Sequence, residues 1–202
     1  MKVNRRSQAT RSAATRDALV AAARPLFAEH GFAGVGTETI VRAAGVTRGA
    51  LYHQFSDKTE LFAAVFEDVE QSIVVRIGEA SRAANATEPM DEMAVGASAW
   101  LDACTDPAIQ RIVLLDGPAV LGWERWREIG MRYGMGLVEG LLDHAVATGS
   151  IPRQPVRPLA HVLIGALDEA ALYVATADDP VVARAEVQEV VNRLLAAIVV
   201  QQ

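Results

Sequence analysis

The stretch AAGVTRGALYHQF, residues 43–55, decides how this chain reads. A glycine, a threonine and an arginine stand ahead of a Tyr-His pair and a phenylalanine. Thr47 is a helix-capping residue type, its hydroxyl placed to accept from the N–H of Gly49 or Ala50. Leu51 and Phe55, four apart, share one face of the short helix expected over 47–54. Upstream, Ile40, Val41 and Ala44 make an apolar stripe over 37–44, which Gly45 breaks. A helix, a glycine corner and a second short helix across residues 36–55 is helix-turn-helix spacing.

The flanks support that reading. Ala18, Leu19, Ala22, Leu26 and Phe27 form one apolar stripe over 12–30, ended by Gly31, with a kink expected at Pro25. Asp57 with Glu60 three later is a capping-box pattern for a fourth helix running to about residue 83. Beyond it the pattern predicts helices over 90–104, 107–115, 121–148, 158–176 and 180–200, and no strands. The fold class is therefore all-α. An N-terminal helix-turn-helix region over 13–73 precedes a larger helical region over 74–202, and the fourth helix belongs to both.

Charge is segregated. Residues 1–58 hold nine Lys/Arg and four Asp/Glu, a balance of +5, and the remainder carries −11 of the total −6. A basic quarter on an acidic body points to an anionic partner for that quarter alone. The single cysteine excludes an internal disulfide and suits a reducing compartment. Uninterrupted apolar runs fall short of membrane length and the basic N-terminus lacks a signal-peptide core, so the expectation is a cytoplasmic protein with no membrane partner.

In a helix-turn-helix the second helix enters the major groove with its N-terminal residues on base edges. Arg48 suits a guanine O6/N7 pair and Ala50 a thymine methyl. Gly49 suits close backbone approach to DNA. Tyr52 and His53 suit phosphate oxygens, as does Lys58 in the first turn of the next helix. The same spacing fits any helix–corner–helix, with Arg48 solvated and Tyr52 a packing residue.

The segment ALVAAARPLFAEHGFAGVGTETIVRAAGVTRGALYHQFSDKTELFAAV, with its LFAEHGF, Ile-(x)3-Ala-Gly-Val, LYHQF and Lys-(x)2-Leu-Phe elements, resembles the N-terminal domain of TetR/AcrR-type transcriptional regulators over residues 16–65. The resemblance implies an all-α homodimer that binds a palindromic double-stranded DNA operator and pairs through its last two helices. It implies base contacts from Arg48, Ala50 and Gly49. Phosphate contacts would come from Tyr52, His53, Lys58 and Thr37, beside the capping Thr47. Where the family often caps its second helix with Thr or Ser, this chain has Val35-Gly36, so Thr37 is expected to cap one residue later.

The C-terminal region carries no motif that names a ligand. Trp123, Trp126, Met131 and Met135 recur at helical spacing beside Gly130, Gly134, Gly136 and Gly140, a pattern that suits either core packing or an apolar pocket for a small hydrophobic or aromatic effector. Trp100, Cys104 and Asp116 are further pocket candidates, and Asp116 or Arg132 is placed to meet a polar group of the effector. His144 and His161 stand apart from any metal-ligand spacing. Asp168 and Glu169, adjacent on a helix, face different directions and make no di-acid pair. No nucleophile–base pair, metal cluster, phosphate loop or cofactor motif is found. A helical enzyme or a non-DNA-binding interaction module on the same fold is thus the alternative to a ligand-released repressor. The final two helices carry wide apolar stripes that include Leu163 and Val191, expected to face a second subunit across Gly165, Ala166 and Ala170.

Overall fold

In a computed structural model, which describes residues 2–199 and side chains from residue 9, every element is helical. The elements are α1 (Lys2–Gly34), α2 (Thr37–Ala44), α3 (Arg48–Gln54), α4 (Lys58–Ala84), α5 (Pro89–Ala103), α6 (Pro107–Ile109), a π-helical segment (Gln110–Asp116), α7 (Gly117–Leu121), α8 (Trp123–Thr148), α9 (Val156–Thr176) and α10 (Pro180–Ala197). The last helix, expected to reach residue 200, ends at Ala197, and residue 200 itself lies outside the described residues.

Several sequence expectations change. The backbone of α1 leaves helical φ/ψ at Gly31 (φ 69°, ψ 167°) and not at Pro25. The conformation at Gly31 is open to glycine and strained for other residues. The helix expected over 107–115 is two elements, a single turn and a π-helical stretch. Glu60 does not close the capping box: the Asp57 carboxylate accepts from the Glu60 N–H at 2.9 Å, while the Glu60 carboxylate takes Arg125 of α8 at 2.5 and 2.8 Å. Thr37 does not cap α2, whose N-cap is Gly36 without a side-chain bond. α9 is long and apolar enough to cross a membrane by length and composition, with a mean hydropathy of 1.4. A count of uninterrupted apolar residues passes over it because Arg157, His161, Asp168 and Glu169 intervene. In the fold Asp168 is ion-paired with Arg127 of α8.

One continuous core joins all parts. Leu19, Ala23 and Phe27 of α1 close on Leu61, Phe62, Val65 and Phe66 of α4, with Ile40, Val41 and Leu51 filling the gap from α2 and α3. Phe27, Phe32 and Phe62 meet at ring separations of 5.3–5.9 Å, Phe62 edge-on to both others. Arg24 of α1 ties to Asp68 of α4 at 2.7 Å. The same α4 continues unbroken into the second half, where Val69 and Ile73 pack with Met93, Ala97 and Leu101 of α5 and Ile129 of α8. Arg184 fixes α10 to α5 through Asp102 at 2.7 Å and Ser98 at 3.0 Å.

The tightest approach lies at Gly117. A Cβ there would sit 2.8 Å from Trp126 Cδ1 and 3.1 Å from both the Ile112 carbonyl oxygen and Phe66 Cε2. Trp126 cannot yield, because its indole N–H donates to the Val113 carbonyl at 2.9 Å. Gly117→Ala is therefore expected to destabilise the chain by about 1–3 kcal/mol despite its better helix propensity. Gly136→Ala, where a Cβ meets nothing within 4 Å, should stabilise by about 0.5–1 kcal/mol. Urea unfolding of the two variants against the parent checks both signs.

Candidate nucleic-acid interface and ligand cavity

The corner between α2 and α3 is built by local chemistry. Gly45 takes the left-handed conformation (φ 65°, ψ 28°), and its N–H bonds back to Arg42 while that of Val46 bonds to Val41. These are the reversed bonds that end a helix and leave its last carbonyls satisfied. Thr47 then caps α3, its hydroxyl accepting the Ala50 N–H at 3.2 Å. Buried Leu51 and Phe55 hold α3 against the core. The Arg16 guanidinium lies 4.6 Å over the Phe55 ring, and Gln54 donates to Ser12 of α1 at 2.8 Å.

That anchoring turns the other side of α3 outward. Thr47, Arg48, Gly49, Tyr52 and His53 are exposed, and Ala50 is half-buried. The Arg48 guanidinium lies 5.6 Å over the Tyr52 ring. Hydrogen bonds with Arg48 and then Thr37 hold the Tyr52 phenol below its ordinary pKa. The structure thus brings Thr37, Arg48 and Tyr52 together across the two helices. Among the described residues no carboxylate pairs with Arg48. A Cβ at Gly49 would meet only Thr47 Oγ1, at 3.9 Å, so internal packing does not demand glycine there.

Lys58 sits differently from the others. Its ammonium donates to the carbonyls of Phe32 (2.8 Å) and Val35 (2.9 Å) and lies 4.0 Å over the Phe32 ring. Two of its three donors are committed to the α1–α2 link. The Phe32 N–H in turn donates to Asp116 at 2.7 Å, which ties this link to the π-helical segment.

The second half holds a partly open cavity of about 140 Å³ between α4, α5, α8, α9 and α10. Of the aromatic candidates, Trp100 and Trp126 line it. The remaining candidates lie elsewhere. Cys104 is buried in the core, where desolvation pushes its thiol pKa up. Asp116 is spent on Phe32, and Arg132 pairs with Glu67 and Glu128 at the surface. Trp123 is 69% exposed and packs on Trp126 with the rings tilted and their centroids 4.9 Å apart. Met131 and Met135 pack with the core outside the cavity. The glycines of α8 serve the cavity more than close packing. Gly130 and Gly134 line it, and three of the four would meet nothing within 4 Å as alanine.

Sequence reading missed the polar lining. Glu70 is 6% exposed, and Asp168 and Arg127 form an ion pair at the cavity wall. A signal existed for Glu70. It stands four after Phe66 and three before Ile73, on the stripe that α4 buries, where a charged residue is out of pattern. Burial, reinforced by the nearby Asp168 charge, pushes the Glu70 carboxyl up to about 8. Burial also raises Asp168, to about 6, against the opposing pull of Arg127.

Comparison with known proteins agrees with this architecture. Residues 19–65 match the sequence model described as bacterial regulatory proteins, tetR family, and residues 90–198 match the tetracyclin repressor-like C-terminal domain. The HTH-type transcriptional regulator CymR of Pseudomonas putida is 42% identical over 76 residues, covering 38% of this chain and 37% of that protein. The transposon Tn10 TetC protein of Escherichia coli is 25% identical over 80% of this chain and 81% of its own length. The crystal structure of a TetR-family transcriptional regulator from Pectobacterium atrosepticum superposes with a TM-score of 0.82 at 31% identity, covering 95% of this chain and 97% of that one. With a C-terminal match spanning more than half of the chain and a full-length structural relative above 30% identity, the chain belongs to the TetR family of helix-turn-helix transcriptional regulators.

Proposed function

We propose that the protein is a repressor which binds a palindromic operator as a homodimer and leaves it when a small, mostly apolar effector fills the cavity between α4, α5, α8, α9 and α10. The observation that carries the reading is the outward face of α3. There an exposed Arg48, with no carboxylate partner among the described residues, a side-chain-free Gly49 and a small Ala50 occupy the first turn. Arg48 reads a base edge. Tyr52, His53 and Thr37 meet phosphates, and Thr47 holds the helix start in place. Lys58 acts chiefly by fixing the approach of α2, with its remaining donor turned to phosphate.

The dimer reading rests on exposed apolar groups of the last two helices. Val162 (66% exposed) and Tyr173 of α9 and Val190 of α10 are more than half exposed within one subunit. Leu163 and Val191, expected from the sequence to face a partner, instead line the cavity, so charging them would unmake the subunit itself. An effector shifts such a regulator only by its preference for one conformation over the other. A chain of bonds supports that coupling. Trp126 and Val113 line the cavity and are bonded to each other, Asp116 ends the same π-helical segment on the Phe32 N–H, and the Phe32 carbonyl takes Lys58.

Arg48→Ala should fold normally, lose about 1–3 kcal/mol of operator affinity and relax preference at one base position per half-site. Selection of bound sequences from random DNA by the parent, followed by titration of both proteins, checks this; equal selectivity would remove Arg48 as a reader. Lys58→Ala should behave otherwise, losing about 1–3 kcal/mol of folding stability in the absence of DNA because two carbonyls lose a charged donor. Val162→Glu with Val190→Glu should give folded monomers with weak operator binding, and light scattering that finds an intact dimer would refute the interface.

A further inference from the structure

We propose that the cavity takes a ligand with an apolar body and a single protonated amine, and that the Glu70 carboxyl receives the ammonium. The proposal rests on the cavity being the effector site and adds the charge of its occupant.

Glu70 is buried on the apolar stripe of α4 and borders the cavity. Among the described residues no hydrogen bond or ion pair reaches its carboxyl, and none of their side-chain oxygens is both sealed from solvent space and unpartnered, so this carboxyl opens onto the cavity. Buried polar groups are nearly always partnered. One left open beside a cavity finds its partner in whatever fills that cavity. The neighbouring charges decide which partner. Glu92 of α5 and Asp168 of α9 also line the space, and Tyr133 of α8 contributes a phenol. The thiol of Cys104, next to the Glu70 side of the core, is held protonated by burial. The sole cation on the wall among the described residues is Arg127, whose guanidinium is committed to Asp168 and to the His161 carbonyl. Among the described residues no cation pairs with Glu70 or Glu92, since the one guanidinium on the wall is spent on Asp168, so the cavity disfavours an anion and favours a cation. The remaining wall is aliphatic and aromatic, including Trp100, Trp126, Ile77 and Leu141, which suits a hydrocarbon body.

A proton balance follows. With its carboxyl held up to about 8, Glu70 carries its proton in the empty cavity at neutral pH. An arriving ammonium favours the carboxylate, so the carboxyl proton leaves to solvent while the amine keeps its own. One proton is released per ligand bound below that pH. Affinity for the amine therefore climbs as pH rises towards 8 and levels off above it. Asp168 titrates lower, at about 6, beneath this window.

The test uses the full chain with 2-phenylethylamine and its neutral counterpart 2-phenylethanol, read by the fluorescence of Trp100 and Trp126. At pH about 7.5 the amine should bind at least about tenfold tighter than the alcohol. Its affinity should rise up to about tenfold from pH about 6.5 to 7.5, with that of the alcohol flat. Glu70→Gln should weaken the amine by about tenfold or more, spare the alcohol and abolish the pH dependence. The wild-type pH profile and a buffer-dependent heat of proton release test the same point without a variant. Equal affinity for the two probes, or an amine indifferent to Glu70→Gln, overturns the cationic ligand and leaves the effector cavity standing. Binding of neither probe removes the cavity as a ligand site, and both readings fall together.

Discussion

α4 carries a single buried stripe that two different sets of helices must complete. Leu61, Phe62, Val65 and Phe66 belong to the part of the core closed by α1, α2 and α3, whereas Val69 and Ile73 belong to the part closed by α5 and α8. Close-packed interiors do not deform smoothly. A shift of α4 by a fraction of a turn therefore disturbs both parts at once, and neither half can choose its orientation alone. The outward presentation of α3 and the width of the cavity are set by the same rigid rod.

The polar contacts around that rod are concentrated where α1 ends. Gly31 turns the chain out of α1, which frees the Phe32 N–H for Asp116 and the Phe32 carbonyl for Lys58. Both bonds involve a charged partner in a half-buried setting, where hydrogen bonds are stronger than their solvent-exposed equivalents. Asp116 and Lys58, far apart in sequence, thereby hold the N–H and the carbonyl of one residue. The π-helical segment that presents Asp116 also presents Val113 to Trp126, so the tip of α1 and the cavity wall are the two ends of one short element.

Much of this was legible in the residue pattern. The N-terminal elements are local: Gly45, Thr47, Asp57 and the stripes of α1 and α4 each act over a few residues, and capping chemistry marks their ends. The exposed face of α3 could be read for the same reason, since Leu51 and Phe55 fix which side is buried. The cavity could not be read so well. Its wall draws on five helices, and which side of α8 turns inward depends on Trp126 packing so closely over Gly117 that a Cβ there would sit 2.8 Å from it, an arrangement with no local signature. Hence Trp126 faces the cavity while Trp123, three residues earlier, is packed outside it. Asp116 was read as a pocket group because its partner, the Phe32 N–H, lies 84 residues away. The π-helical turn has no compositional mark either, and the two backbone carbonyls that hold Lys58, which the sequence places at DNA phosphate, leave no trace in a sequence.

The cavity of about 140 Å³ is also a place where the folded chain lacks neighbours for its own side chains. The unfolded chain has no such space, so whatever occupies it binds the native state alone. Occupancy at a hundredfold excess over the dissociation constant then adds about 2.7 kcal/mol to the free energy of unfolding. For a protein of ordinary marginal stability that is a sizeable fraction of the whole. A filled form would accordingly open to proteases less often than an empty one, so that occupancy would act on the abundance of the protein as well as on its conformation.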